Sequence, residues 1–465
     1  MLKTTLMKKI WLLIASIAIV SCKNEAPIDY AIITGNIANA DTKDVTLYSP
    51  SNRAFKRKIA LAQDGSFTDT VRISGDFALY QARNVTPLYL EAGNSITINF
   101  DAKNFKNSLT LTGNGSEISS YLVAKNNKEK ELIGEGTGVY TQGEVDYKKT
   151  FHGVKTAQED LLNAATGIDA DYKAKEERNL QYAYLGKLNI YKSYHSHYAK
   201  KKDFEPSKDF LNEVQNITFD SEEDFIFSTA YKSLVTSHYQ NKVSELIKAD
   251  EKLDRSIVML NLCAAIENQT IKNALIHEVS KYNITYTDDI KGFYTAYKAA
   301  GSTDEKNNVE IEKSYNTLIK LAKGSPSPKF VDYENNAGGT TSLDDLKGKY
   351  TYIDIWATWC GPCIREIPSL KKVEKQFHGK NIQFLSISID AKKDHQKWKD
   401  MIKEKELGGI QLFADNLWQS KFVADYMVKG IPKFILLDPQ GNIVTANAPR
   451  PSNKKLVELF KELKI

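Results

Sequence analysis

An apolar run of residues leads without interruption into two closely spaced cysteines and then into a helical pattern. Residues 352–357 (YIDIWA) are typical of a buried strand, and residues 364–370 have the pattern of a helix. This order predicts a strand-turn-helix unit with Cys360 and Cys363 at the N-terminus of the helix. Free amide hydrogens and the helix dipole favour a thiolate there, so we expect a lowered pKa for the Cys360 thiol. The sequence therefore predicts a dithiol/disulfide redox pair.

The spacing and number of the cysteines support this interpretation. Gly361 and Pro362 separate the pair; the glycine permits the turn and the proline stiffens it. The other two cysteines are isolated, with Cys22 near the N-terminus and Cys263 in an apolar run typical of a buried helix. A disulfide-stabilised scaffold would use an even, dispersed set of cysteines. We therefore expect Cys263 to be a small core residue.

Residues 324–465 resemble the thioredoxin superfamily, and within it the membrane-tethered TlpA/ResA-type oxidoreductases. The resemblance covers about 140 of the 465 residues and implies a thioredoxin fold. The prolines and glycine of residues 324–328 (GSPSP) cannot continue a helix and predict the start of this domain. The matching positions are Trp359, Cys360, Gly361, Pro362 and Cys363 of the active-site motif, Asp354, Glu366, Pro368 and residues 430–432.

Two acidic residues acquire roles through this resemblance. Asp354 matches the buried acid of thioredoxin, and Glu366 matches the acid of the ResA-like branch. Burial raises the pKa of a carboxyl group, which suits proton transfer. Either acid could deprotonate Cys363, and the sequence leaves open which of them does so.

The resemblance also implies a substrate-binding surface. Ile431 and Pro432 precede an apolar strand and match the loop whose cis-proline faces the cysteines in this family. The backbone of this loop is expected to pair with the substrate strand, together with contacts from Gly361 and Pro362. Trp359 is expected to provide an apolar contact beside the reactive sulfur. Residues 391–406 match the extra helix that the tethered proteins insert into the central sheet.

The implied function is the reduction of disulfides in cell-envelope proteins, with re-reduction by a membrane electron donor. A disulfide oxidase or isomerase is the first alternative, and a partner-binding lipoprotein with a secondary redox site is another. A peroxidase of the peroxiredoxin type would need threonine where Ala357 stands. A c-type haem would need histidine where Ile364 stands, and we expect no cofactor.

The N-terminus predicts the compartment. Three lysines and no acidic residue precede an apolar stretch over residues 10–20, which is too short to span about 30 Å of hydrocarbon but suits a signal peptide. The following Ser21 and Cys22 complete a segment that resembles the lipobox of bacterial lipoproteins. This resemblance implies cleavage before Cys22 and its lipidation. We expect a lipid-anchored envelope protein with its thioredoxin domain in the periplasm.

The hydrophobic periodicity divides the remaining chain into blocks. Residues 22–115 alternate in short runs typical of an antiparallel β-sandwich or barrel, and residues 116–323 have helical spacing. Apolar residues recur at helical spacing over residues 225–239. We expect this apolar stripe to be the buried face of a helix. With a signal peptide over residues 1–21 and a thioredoxin-like domain over 324–465, the prediction is a multidomain chain. His195 and His197 are two residues apart on a predicted helix and therefore point to different faces, so they cannot bind one metal ion together and no metal is expected. The sequence contains no basic tract with interleaved aromatic residues, so we expect no nucleic-acid binding.

Overall fold

The computed structural model of the protein describes residues 28–51 and 55–465. The chain forms two compact units, the first over residues up to 184 together with 191–206, the second over residues 185–190 and 207–465. The predicted signal peptide and Cys22 lie outside the described residues. Within those residues, no helix is both long and apolar enough to cross a membrane. The helical region is divided between the two units, and the three domain boundaries inferred from the sequence stay a prediction.

The first unit begins with short strands that alternate between buried and exposed residues. They form two four-stranded sheets with the orders β4-β1-β7-β8 and β3-β2-β5-β6. The strands are β1 (Ala31–Ala38), β2 (Asp44–Tyr48), β3 (Lys56–Ala60), β4 (Ser66–Val71), β5 (Gly75–Gln81), β6 (Asn84–Leu90), β7 (Ser95–Asp101) and β8 (Thr110–Thr112).

The inward-facing residues of the two sheets share one hydrophobic core, which includes Ile33, Leu47, Leu79 and Ile98. The predicted β-rich fold is therefore confirmed as a sandwich. One detail differs from the antiparallel expectation, because β1 and β7 pair in parallel while the other neighbours are antiparallel. The strands of the other sheet lie between β1 and β7 in the chain, which provides the long crossover that a parallel pair requires.

The predicted helical region is confirmed. Most of its longer helices begin at an aspartate, serine or asparagine whose side chain accepts a hydrogen bond from a free amide of the first turn. A short helix, α1 (Phe105–Ser108), lies before β8 in the β-rich block. The helices of the helical region are α2 (Ser116–Ile133), α3 (Glu144–Ala164), α4 (Ala170–Tyr198), α5 (Asn212–Gln215), α6 (Glu222–Phe227), α7 (Thr229–Ala249), α8 (Arg255–Ala264), α9 (Gln269–Asn283), α10 (Ile290–Ala300) and α11 (Glu305–Leu318).

The stripe expected over residues 225–239 is interrupted. Ser228 ends α6 and begins α7, where its hydroxyl accepts a hydrogen bond from the Tyr231 amide. Phe225 and Tyr231 are buried, as expected, but Ile226 is 60% exposed because the break rotates it away from the core. Cys263 is fully buried and free, which agrees with its predicted role in the core.

The C-terminal part has a thioredoxin fold, as predicted. Its seven-stranded sheet has the order β10-β9-β13-β12-β11-β14-β15, in which β11, β12 and β13 are parallel and β14 is antiparallel to β11. The elements are β9 (Tyr333–Asn335), β10 (Thr340–Thr341), β11 (Tyr350–Trp356), α12 (Gly361–Gln376), β12 (Ile382–Ser388), α13 (His395–Lys405), β13 (Ile410–Phe413), α14 (Lys421–Asp425), β14 (Lys433–Leu437), β15 (Ile443–Thr445) and α15 (Lys454–Glu462).

Helices cover both faces of this sheet. Ile353 and Ile355 of β11 pack with Trp398 of α13 on one face, whereas Tyr352 packs with α12 and α15 on the other. Asp354 follows Tyr352 by two residues and therefore faces α12. The carboxyl end of β11 leads directly to the start of α12, and this junction positions the cysteines.

Candidate active site

The two cysteines lie at the N-terminus of α12 and are joined by a disulfide. Their Cα atoms are 5.3 Å apart, within the usual range for a disulfide. Cys360 is the residue immediately before the helix, and its Sγ accepts a hydrogen bond from the Cys363 amide at 3.2 Å. Both cysteines are almost completely buried. The strand-turn-helix unit predicted from the sequence is thus present, with an amide donor at the sulfur of Cys360.

The turn before the cysteines is held by an acid that sequence reasoning missed. Asp390, at the end of β12, accepts hydrogen bonds from the Thr358 amide at 2.9 Å and from the Thr358 hydroxyl at 2.8 Å. The Ser388 hydroxyl donates a further bond to Asp390 at 2.7 Å. An aspartate directly after the apolar run of residues 382–389 was the available signal, but the sequence does not say which backbone amide it would reach.

The predicted substrate-binding residues lie around this turn. Residues 430–432, called the proline loop below, precede β14, and the Ile431–Pro432 peptide bond is cis, the conformation that the resemblance implied. Ile431 packs against the same hydrophobic cluster as both cysteines. Trp359 is 52% exposed, and its ring lies 6.3 Å from that of Trp418. An exposed aromatic surface therefore adjoins the disulfide.

Asp354 lies beneath the disulfide on β11. Its carboxyl group is buried, and its Oδ1 atom has no hydrogen-bond partner within the described part of the chain. Burial, together with the negative charges of Glu366 and Glu374, raises the pKa of Asp354 to about 8. Because Asp354 and Cys363 line the same small cavity, Asp354 is placed to exchange a proton with the Cys363 thiol.

Glu366, the second predicted acid, is also buried but has partners. Its two carboxylate oxygens accept hydrogen bonds from the Ser452 amide at 3.0 Å and from the Ser452 hydroxyl at 2.9 Å. Ser452 lies just before α15, 86 residues away in the chain. The structure therefore places Glu366 as a link between α12 and α15, while one oxygen of Asp354 has no partner among the described residues.

Part of the helical region contacts the proline loop within the second unit. The Tyr286 hydroxyl, between α9 and α10, donates a hydrogen bond to the Gly430 carbonyl at 3.1 Å. Lys433, directly after the loop, is buried and donates from Nζ to the Thr285 carbonyl at 2.8 Å, with its ammonium 4.9 Å from the centre of the Tyr286 ring. Burial lowers the pKa of Lys433 to about 8. Nothing in the sequence indicated this link.

Known proteins match the C-terminal part of the chain. Residues 324–446 match the AhpC/TSA family. The thiol-disulfide oxidoreductase ResA of Bacillus cereus is 30% identical over 127 residues, which are 27% of this chain and 69% of that protein. ResA of Bacillus subtilis is 30% identical over 127 residues, covering 27% of this chain and 66% of that protein.

A solved structure, the thioredoxin domain of a thiol-disulfide oxidoreductase from Bacteroides vulgatus, is 30% identical; the match covers 31% of this chain and 98% of that one, with a TM-score of 0.28. The AhpC/TSA match includes the paired cysteines at the start of α12. Through an AhpC/TSA-type thioredoxin-like domain, the chain therefore belongs to the ResA-like thiol-disulfide oxidoreductases.

Proposed function

We propose that this protein is a protein-disulfide reductase of the bacterial cell envelope, anchored by a lipid on Cys22 and re-reduced by a membrane electron donor. The observation that carries the proposal is the Cys360–Cys363 pair at the start of α12, next to a buried Asp354 whose Oδ1 atom has no partner in residues 28–51 and 55–465. Its substrates are disulfide-containing envelope proteins.

The first step uses Cys360. In the reduced protein its thiolate attacks one sulfur of the substrate disulfide, which releases one substrate thiolate and forms a mixed disulfide. The Cys363 amide, which donates to the Cys360 sulfur in the disulfide form, also supports negative charge on that sulfur. Ile431 and the exposed Trp359 ring provide the surface that receives the substrate chain.

The second step uses Cys363. Its thiol transfers a proton to the Asp354 carboxylate, and the resulting thiolate attacks the Cys360 sulfur. The second substrate thiolate leaves, the Cys360–Cys363 disulfide forms, and the two substrate thiolates take up protons. Two electrons thus pass from the protein to the substrate, Cys363 gives up one proton to Asp354, and the substrate thiolates take their protons from solvent. A donor of two electrons must then reduce the disulfide before the next cycle.

The direction of electron flow is tested by the reduction potential. We expect a value near or below about −230 mV, because thioredoxin and the glutaredoxins lie between about −270 and −200 mV. The measurement uses the chain without residues 1–22, equilibrated in graded thiol/disulfide buffers and trapped by alkylation. A value near about −120 mV would instead indicate an oxidase or isomerase, and the direction proposed here would be reversed.

The location is tested at Cys22. Wild-type cells grown with a radioactive fatty acid should incorporate label into the protein and retain it in the membrane fraction, because several acyl chains anchor a protein stably. Cys22→Ala should remove the label, because the acyl chains are attached at this residue. The matched control Cys263→Ala changes a buried cysteine and should keep the label. Equal labelling of the Cys22 variant would contradict a lipid anchor at this residue.

A further inference from the structure

A narrow cavity lies beside Cys363. Its lining includes Cys363, Asp354, Trp356, Gln411 and Glu374. The space available to a water-sized sphere is about 10 Å³. This is close to the smallest volume that holds a single water molecule, about 10–15 Å³.

Three side chains of this cavity each have a buried polar atom without a partner in the described part of the chain. They are the Oδ1 atom of Asp354, the Nε1 atom of Trp356 and the Oε1 atom of Gln411. An indole nitrogen donates a hydrogen bond, whereas the carboxylate and amide oxygens accept one. One water molecule can accept a hydrogen bond from the Trp356 indole and donate hydrogen bonds to the Asp354 and Gln411 oxygens. The cavity therefore has the size and the polar groups of a single-water site.

Glu374 connects this cavity to the surface. It lies two turns along α12 beyond Glu366 and is only partly buried. Its carboxylate packs against the turn that leads into β13, where an added Cβ on Gly408 would lie 2.7 Å from the Glu374 Oε2 atom. The absence of a side chain at Gly408 thus leaves room for this carboxylate beside the cavity. Burial raises the pKa of Glu374 to about 7, while the nearby Lys371 acts in the opposite direction.

We propose that Glu374 and a water molecule held by Asp354, Trp356 and Gln411 form the route by which the proton released from Cys363 leaves the protein. This inference deepens the proposed dithiol mechanism and rests on it. When Cys363 attacks the mixed disulfide, its proton passes to the Asp354 carboxylate. Asp354 then returns to the carboxylate form as the proton moves through the water to Glu374 and from there to solvent.

The charges around Asp354 are consistent with this order of transfer. Glu366 and Glu374 both disfavour a negative charge on Asp354, so Asp354 takes up a proton readily and must then lose it before the next cycle. Ser452 holds the carboxylate of Glu366, whereas Glu374 is partly exposed and lines the cavity. Glu374 is therefore the acid placed to exchange its proton with solvent.

The experiment measures the steady-state rate at which the full chain reduces insulin, with dithiothreitol as the electron donor, over a range of pH values. Asp354 must then lose its proton in every cycle, so this rate depends on the relay. Two effects of Glu374→Gln are expected. Loss of a negative charge should move the midpoint of the pH profile to lower pH, and loss of the relay should lower the high-pH plateau rate about tenfold or more.

The high-pH plateau rate distinguishes the two possible roles of Glu374. A purely electrostatic role would shift the midpoint of the pH profile and leave the plateau rate unchanged. Glu374→Asp, which keeps a carboxylate, should recover part of the plateau rate. Glu404→Gln removes the same charge from an exposed position on α13 and should match wild type. A plateau rate in Glu374→Gln equal to that of wild type would overturn the relay alone. A wild-type protein that does not accelerate insulin reduction would overturn the dithiol mechanism as well.

Discussion

Replacing Cys363 with serine is expected to stop turnover and to leave Cys360 joined to its substrate in a stable mixed disulfide. Serine cannot attack the mixed disulfide, so the first step proceeds and the second does not. The rate of insulin reduction should fall by roughly 10³-fold or more, as when one member of a catalytic unit is removed. Non-reducing gels of cells that express the full chain should show adducts that a thiol reductant releases.

Two controls define this result. Cys360→Ser with Cys363→Ser should form no adducts, because the attacking sulfur is then missing. Cys263→Ala removes a fully buried cysteine elsewhere and should leave the insulin rate at the wild-type level. Normal turnover by Cys363→Ser without any adduct would show that Cys363 is not the resolving cysteine.

Asp354→Asn is expected to change both stability and its dependence on pH. The pKa of Asp354 is about 8 in the folded protein, against an ordinary value of 3.8 for an exposed aspartate, so the folded state holds the proton more tightly. The stabilisation that the folded protein gains from binding this proton is fully present below about pH 4 and is lost as the pH rises towards 8. Removing the ionisable group should therefore stabilise the oxidised protein at neutral pH.

The size of this stabilisation follows from two opposing effects. Abolishing ionisation contributes at most about 4 kcal/mol at pH 7, at 1.36 kcal/mol per pKa unit. An unpartnered buried amide costs about 1–3 kcal/mol, so we expect a net gain of roughly 1–3 kcal/mol at pH 7 and a small net loss at pH 4. Urea unfolding at both pH values measures the difference. An identical pH dependence in wild type and Asp354→Asn would contradict the raised pKa.

The same variant should slow the second chemical step. Without the carboxylate, Cys363 loses its proton directly to solvent, and formation of the Cys360–Cys363 disulfide should be about 10²-fold slower at pH 7. Glu366→Gln is the matched comparison, since it alters the other buried acid of the site. A larger loss in Glu366→Gln than in Asp354→Asn would assign the role of base to Glu366 instead.

Local patterns in the sequence were sufficient to predict the junction that carries the chemistry. The apolar run of β11, the Cys-Gly-Pro-Cys turn and the helix that follows are contiguous, so each position along them constrains the next. The change from short alternating runs to helical spacing likewise predicted the sandwich and the helices. Ile226 shows what periodicity alone cannot predict. The helix breaks at Ser228, so Ile226 does not share a buried face with the residues of α7, although its spacing from them is helical.

Contacts between distant residues could not be predicted in this way. Asp390 reaches Thr358, Ser452 reaches Glu366 and Glu374 reaches the cavity of Asp354 only after the sheet and its helices have assembled. Each of these polar residues is ordinary in its own segment. Their partners depend on the register of neighbouring strands and on how α12 packs against the sheet, which a single sequence does not encode in any local pattern.

The contact between Tyr286 and the proline loop bears on how this protein can evolve. Gly430 and Lys433 have their hydrogen-bond partners in a stretch nearly 150 residues upstream. A gene exchange that replaced only residues 324–465 would separate these partners and leave the Lys433 ammonium without the Thr285 carbonyl. The upstream stretch and the loop are therefore inherited most safely as one module, and a substitution in either one changes which residues the other can accept.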